Sequence, residues 1–466
     1  MTDSRRESSS SDIESTNWPS AIRDPRSAIK KAVVVLVIVG IVAVLAPPAP
    51  SVQHFPRRQR VVFWHMWSGD YQPVVEGIAK RFNASQTRYE VLPLYVTADG
   101  ASTKFLLSAS GGKPPDLISQ WSPVLGTWTD RGLLKPLDEV ATPAELARYR
   151  REAYPIFRAH ATYRGRIMAM ISGVDLNAVY YRLDQLREVG VDRNHLPKTM
   201  EELFALAKRL ERRDARGRLT RAGFLPTQWM DLVPSFGGGF GTGERMAFDT
   251  PANRRAVGAV VANQRRLGFE NISRFYASQA ADNGITQPLI AGNLSMLLDG
   301  QWRVGQTAKF APNLDYAVGP IPPSADGHPS ACMTAPSYLM IPRASSCPDG
   351  AWAFMKYWIG MDDAEAGGRN TAGMDWLPYC DRIARTKPYE AYLRRYPRFR
   401  TFVDLVASPN LQKFPVNSLQ SFVTTAVGKA EEATGRGSLS PEAALQGLDK
   451  TVADEIARQR RLGNGR

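Results

Sequence analysis

Six tryptophans stand in loops beside polar side chains: Trp64, Trp67, Trp121, Trp229, Trp302 and Trp376. A sugar ring has an apolar C–H face and a fringe of hydroxyls. An indole stacks on the face, while Asp, Asn, Gln or Arg exchange hydrogen bonds with the fringe, so these residue types together point to a carbohydrate pocket. The competing role for each indole is core packing, since Trp is usually well buried. Trp128, Trp352 and Trp358 are read as packing. Catalytic signatures are missing: there is no GxGxxG after a strand, no Walker loop, no HExxH and no GxSxG. The five histidines (His54, His65, His160, His195 and His328) never pair at metal-ligand spacing. The stretch Gly237-Gly238-Gly239-Phe240-Gly241 lacks the Lys and Ser/Thr of a phosphate cradle and reads as a flexible loop. A glycosidase needs two placed carboxylates. Asp70, Asp175 and Asp299 are available for that, but no spacing arranges them so. The expectation is a binding protein with no catalysis, no cofactor and no metal.

The elements that must position these residues follow an α/β grammar. Val61–Phe63 is a short apolar strand, broken by the loop from Trp64 to Asp70. A helix follows with Val74, Val75, Ile78, Ala79 and Phe82 on one face. Residues 89–96 and 116–120 read as further strands, with a helix over 105–110 between them. In the middle of the chain, Arg166–Met170 and Asn177–Tyr181 read as strands flanking a polar bend. Thr199-Met200-Glu201-Glu202 is a capping box, and Asp249-Thr250-Pro251 opens a helix to about Leu267. Ser440-Pro441-Glu442 starts a long amphipathic helix with Leu445, Leu448, Val452 and Ile456 inward. Strands alternating with helices predict a largely parallel sheet.

The chain has 466 residues, of which 43% are hydrophobic and 22% charged, an ordinary globular body rather than a polytopic membrane protein or a disordered chain. Its formal charge is +14, yet arginine is scattered in ones and twos, as at Arg150–Arg151 and Arg394–Arg395. That dispersal suits solvated faces and argues against a nucleic-acid partner. Cys332, Cys347 and Cys380 show no CxxC and allow at most one bridge. Residues 1–31 read as a disordered cytoplasmic tail, and an apolar run from Ala32 to Ala46 follows Lys30–Lys31. At about 1.5 Å per residue that run spans roughly 22 Å, closer to a signal-peptide core than to a comfortable bilayer span of about 30 Å. Residues 32–48 are therefore expected to be a signal peptide or an uncleaved inner-membrane anchor, with 49–57 a linker and the rest exported to the periplasm or another extracytoplasmic space. No cysteine lies near enough for a lipid anchor.

Several ordered segments resemble the family-1 extracellular solute-binding proteins of ABC importers, the maltose- and glycerol 3-phosphate-binding type. Residues 61–82 (VVFWHMWSGDYQPVVEGIAKRF) resemble its first strand, ligand loop and helix. Residues 178–204 resemble its Tyr-Tyr-Asn-Lys-Asp strand end and P-x-T-W-x-E helix start, with Arg182 and Met200 as departures. Residues 291–304 (AGNLSMLLDGQWRV) resemble its G-W segment, and 314–360 its return to the first lobe. The resemblance implies a two-lobe, type II periplasmic-binding-protein-like fold of class α/β, with discontinuous lobes and the ligand in the cleft between them. Lobe 1 is expected to be 58–171 with 334–371, and lobe 2 to be 172–333 with 372–466.

The resemblance also implies where the walls lie. Trp67, Ser68, Gly69, Asp70, Gln120 and Trp121 would face the ligand from the first lobe. Asp175, Asn177, Trp229, Asp299, Gly300, Trp302 and Trp376 would do so from the second. The implied function is a receptor that closes on a mono- or oligosaccharide and delivers it to ABC permease subunits in the membrane, as a monomer. Two alternatives stay open. One is an anionic ligand such as a glycerophosphodiester, with Arg303 and Arg369 as counter-charges. The other is a membrane-anchored sugar-sensing adaptor. Ferric iron on Tyr180–Tyr181 is a remoter option, since alternation turns one of the two into the core.

Overall fold

The structure, a computed structural model, describes residues 52–463 apart from 122, 227, 243–244 and 278–283. The tail 1–31, the apolar segment 32–48 and the start of the linker lie outside the described residues. Among the described residues no helix is long and apolar enough to cross a membrane.

One large sheet organises the body. Its main strands are β1 (Gln59–His65), β2 (Tyr89–Tyr95), β3 (Leu117–Gln120), β4 (Met170–Arg182), β5 (Leu219–Phe224), β6 (Leu294–Gly300), β7 (Tyr316–Gly319) and β8 (Met333–Met340). β2, β1 and β3 run parallel. The helix after β1, Gln72–Ser85, buries Val75, Ile78, Ala79 and Phe82, the stripe its periodicity predicts. β8 joins β3 antiparallel, and β4 joins β8 antiparallel. Along β4 the partner changes: Met170 to Leu176 lie opposite β8, while Asn177 to Tyr181 lie opposite β6. β7 pairs with the end of β4, and β5 runs parallel to β6. β4 and β8 therefore carry the chain between two halves, β1–β3 on one side and β5–β7 on the other.

The expected polar bend between residues 170 and 177 does not form. Met170–Arg182 is one unbroken strand of 13 residues. Gly173 and Asp175 sit opposite Ser337 and Ala335 of β8, and the polar stretch is taken up by a bulge at Ser172, where the register shifts between Ser337 and Tyr338. Gly173 is required there, because an added Cβ would fall 1.2 Å from Trp376 Cε3. The Gly237–Gly241 stretch is pinned rather than loose: Asn253 Oδ1 accepts from Gly239 N at 3.0 Å and its Nδ2 donates to Gly239 O at 2.9 Å. Thr199 does cap its helix by accepting from Glu202 N, but the Glu202 carboxylate turns to Lys198 N. Thr250 caps Pro251–Leu267 and accepts from Asn253 N. The last helix, Pro441–Gly463, buries Leu445, Leu448 and Val452.

Helices Pro348–Ile359 and Ala364–Gly373 pack with the first half, as do Asp381–Ala384 and Lys387–Arg395. The chain meets the second half where Arg398 Nε donates to Tyr316 O at 2.8 Å. Before it, Tyr389 donates to Trp376 O and Tyr392 to Asp375. Cys332, Cys347 and Cys380 are all buried free thiols. Trp64, Trp128, Trp352 and Trp358 are core residues.

Candidate functional site

Two cavities lie along the groove between the halves. The smaller, about 410 Å³, is floored by the crossing strands, with Asp175 and Asn177 of β4 and Thr334, Pro336 and Tyr338 of β8. Trp121 and His160 wall it from the first half. Asp231, Asp299, Trp302, Gln420 and Thr424 wall it from the second. Met333 to Pro336 of β8 reach the cavity as a continuous stretch, joined by Tyr338. Gln420 and Thr424 are one turn apart on the helix Gln420–Gly435.

Each side chain is fixed from behind. Trp121 is 46% exposed, and its backbone N–H donates to Gln120 Oε1 at 2.9 Å. Trp302 lies on Gly300, where a Cβ would approach the ring to 2.1 Å. Asp299 accepts from Arg303 Nε at 2.6 Å and from Gly300 N at 2.8 Å. Asp175 Oδ1 accepts from Gln301 Nε2 at 3.3 Å, while Gln301 Oε1 accepts from Leu176 N at 3.0 Å. Among the described residues neither Asp175 nor Asp231 has an ion-pair partner. Burial pushes both carboxyls up to about 6, with the Asp299 charge adding to the effect. Behind Asp231, burial lifts Glu431 to about 8 while its carboxylate accepts from Met230 N.

His160 is held at about 3 by burial and by Lys413, so it stands neutral. Thr334 Oγ1 donates to Gln412 O, so it accepts from His160 Nε2 at 2.8 Å. On two residues of this lining a buried side-chain atom has no hydrogen-bond partner among the described residues: Tyr338 Oη and Gln420 Oε1.

The larger cavity, about 950 Å³, is lined by Ser68, Gly69, Asp70 and Tyr71 of the first half and by the later turns of the helix Trp302–Phe310. Lys309 forms an ion pair with Asp70 across it. Tyr71 and Tyr392 both donate to Asp375, at 3.2 and 2.9 Å, and burial raises that carboxyl.

Of the residues expected to face a ligand, the smaller cavity gathers Trp121, Asp175, Asn177, Asp299 and Trp302. The larger gathers Ser68, Gly69 and Asp70. Trp67, Gln120, Trp229, Gly300 and Trp376 line neither. Trp67 is 4% exposed, stacked on Trp358 at 5.3 Å and edge-on to Trp376 at 5.9 Å, within the first-half core. Trp229 is core, Gln120 is buried behind Trp121, and Gly300 lies under Trp302. Trp376 packs on the hinge strand at Gly173. The expected counter-charges are placed elsewhere: Arg303 is bound to Asp299 and Gln306, and Arg369 is exposed and lines neither cavity.

A family model described as bacterial extracellular solute-binding protein matches residues 68–365. An sn-glycerol-3-phosphate-binding periplasmic protein of Yersinia pseudotuberculosis is 21% identical over 419 residues, covering 83% of this chain and 89% of the relative. Among solved structures, CpMnBP1 with mannotriose bound aligns with a TM-score of 0.74 at 22% identity, covering 85% of this chain and all of the other. The sugar-binding protein MalE of Xanthomonas citri aligns with a TM-score of 0.71 at 19% identity, covering 88% of this chain. The shared architecture is the two-lobe, type II α/β fold.

Proposed function

The chain belongs to the bacterial extracellular solute-binding protein family, and from that premise we propose that it captures a small carbohydrate between its lobes and presents it to an ABC permease. The lobes hinge at β4 and β8, and the ligand bridges Trp121 on one side and Trp302 on the other. It acts by binding, without turnover of the ligand. Residues 32–48 deliver the body across the membrane as a signal peptide or hold it there as an anchor.

The observation that carries this reading is the make-up of the smaller cavity: an exposed indole and a half-buried one beside three carboxylates, with no Lys or Arg among the described residues of its lining. Indoles take the apolar face of a sugar and carboxylates accept from its hydroxyls. A volume near 410 Å³ lies at the small end of the range for ligand pockets, about 300–1,000 Å³, which suits one or two sugar rings. The same lining disfavours the phosphate ester named for the Yersinia relative in this cavity, because a phosphate would meet Asp175 and Asp231 while the neighbouring Arg303 is already bound to Asp299. Calorimetric titration with mono- and disaccharides alongside sn-glycerol 3-phosphate separates the two. Saturable binding of a sugar is expected, and binding of the phosphate ester alone overturns the reading.

A further inference from the structure

We propose that the ligand of the smaller cavity is an amino sugar, whose protonated amine is received by the carboxylates of Asp231 and Asp175. The inference rests on the carbohydrate reading and narrows it. Three carboxylates line the cavity, and only Asp299 has a cation, Arg303, against it. His160 is the remaining titratable nitrogen in the lining, and it is neutral and already engaged with Thr334. Asp175 and Asp231 thus share a space walled by Trp121, Trp302 and Met230, each under the field of Asp299 and neither with a cation against it among the described residues. Uncompensated charges in such surroundings are costly, and a ligand that brings a positive charge relieves both at once.

Hydrogen-bond sense points the same way. The Asp231 carboxylate and the second oxygen of Asp175 are both acceptors. An ammonium group offers three donors and a positive charge, whereas a hydroxyl offers a single donor and no charge.

The test is calorimetric titration of the full chain at about pH 7 with matched pairs: glucosamine against glucose, galactosamine against galactose, and the disaccharide of chitosan against that of chitin. For at least one pair the amino member is expected to bind about tenfold or more tightly than its neutral partner. Asp231→Asn and Asp175→Asn are each expected to bring that ratio toward one. Equal affinities within every pair that binds overturn the inference and leave the carbohydrate reading standing. A ratio unchanged in both variants overturns it too. If no sugar of either kind binds, or if spermidine binds more tightly than all of them, the carbohydrate reading falls and this inference with it.

Discussion

Removing the indole of Trp121 separates binding from folding more cleanly than any other change in this molecule. Its ring is 46% exposed at the mouth of the cavity, while its backbone is held by Gln120. A tryptophan side chain carries roughly 200 Å² of surface, so about 90 Å² stays open for a ligand to cover. At about 25 cal/mol per Å² that area contributes about 2 kcal/mol, or roughly thirtyfold in dissociation constant. Trp121→Ala should lose that affinity and cost the fold less than removal of a fully enclosed indole, since nearly half of the residue is open to solvent in the free protein. Trp67→Ala makes the opposite case. That indole is enclosed by Trp358, Trp376 and Phe63, so its loss should cost about 3–5 kcal/mol of stability and lower the melting temperature by several degrees. Titration calorimetry and differential scanning calorimetry on both variants read the two effects independently. The reasoning is refuted if Trp121→Ala binds sugar like the parent, or if Trp67→Ala loses binding with its melting curve unchanged.

Gly173→Ala forces a methyl group into the Trp376 indole and should destabilise by about 1–3 kcal/mol, read from the melting curve. By contrast Gly258→Ala, in open space within the helix Pro251–Leu267, should stabilise by about 0.5–1 kcal/mol. The folded state binds the Glu431 proton more tightly than the unfolded chain does, so the charge on Glu431 opposes folding increasingly as pH rises from about 4.5 to about 8. Glu431→Gln should therefore raise the melting temperature most above about pH 8, with the gain fading toward pH 4.5, and a gain independent of pH would contradict this account. The Asp70–Lys309 pair spans the groove with both side chains more than half exposed, so Lys309→Ala should weaken ligand affinity by no more than about fivefold, an effect that vanishes in high salt.

The parts of the fold legible in the sequence are those written in local pattern. The stripe Val75, Ile78, Ala79, Phe82 and the cap-and-proline pair Thr250-Pro251 each settle a helix without reference to anything distant. β4 was harder to read because its evenness depends on partners from two later segments, β6 and β8. Without them, Ser172, Gly173 and Asp175 look like a turn. The same distinction divides the site. Trp121 and Trp302 announce themselves by type and by polar neighbours. Asp231 sits in the short helical turn Met230–Phe236, and Gln420 comes from a helix nearly two hundred residues further on, so only tertiary packing brings them to one cavity. Trp67 and Trp229 carry the same residue-type signal as Trp121, yet both are buried in the core. Residue type cannot distinguish a stacking platform from a packed indole; what lies behind the ring does.

Asp175 shows how binding here is tied to lobe closure. It stands on the crossing strand itself, where β4 passes from β8 to β6. Gln301, at the start of the second-half helix Trp302–Phe310, donates to its carboxylate and accepts from Leu176 N beside it. A ligand that contacts Asp175 therefore presses on the same residues that set the angle between the halves. A ligand can favour the closed arrangement only to the extent that it gains contacts there which the open one lacks. In the proposed site Trp121 would supply that difference: it comes from the first half, whereas Asp231, Asp299 and Trp302 come from the second. A ligand fragment that occupies the carboxylates without reaching Trp121 should bind and leave the lobes as mobile as before, while one that spans both should close them, a contrast that small-angle X-ray scattering reads as a change in radius of gyration.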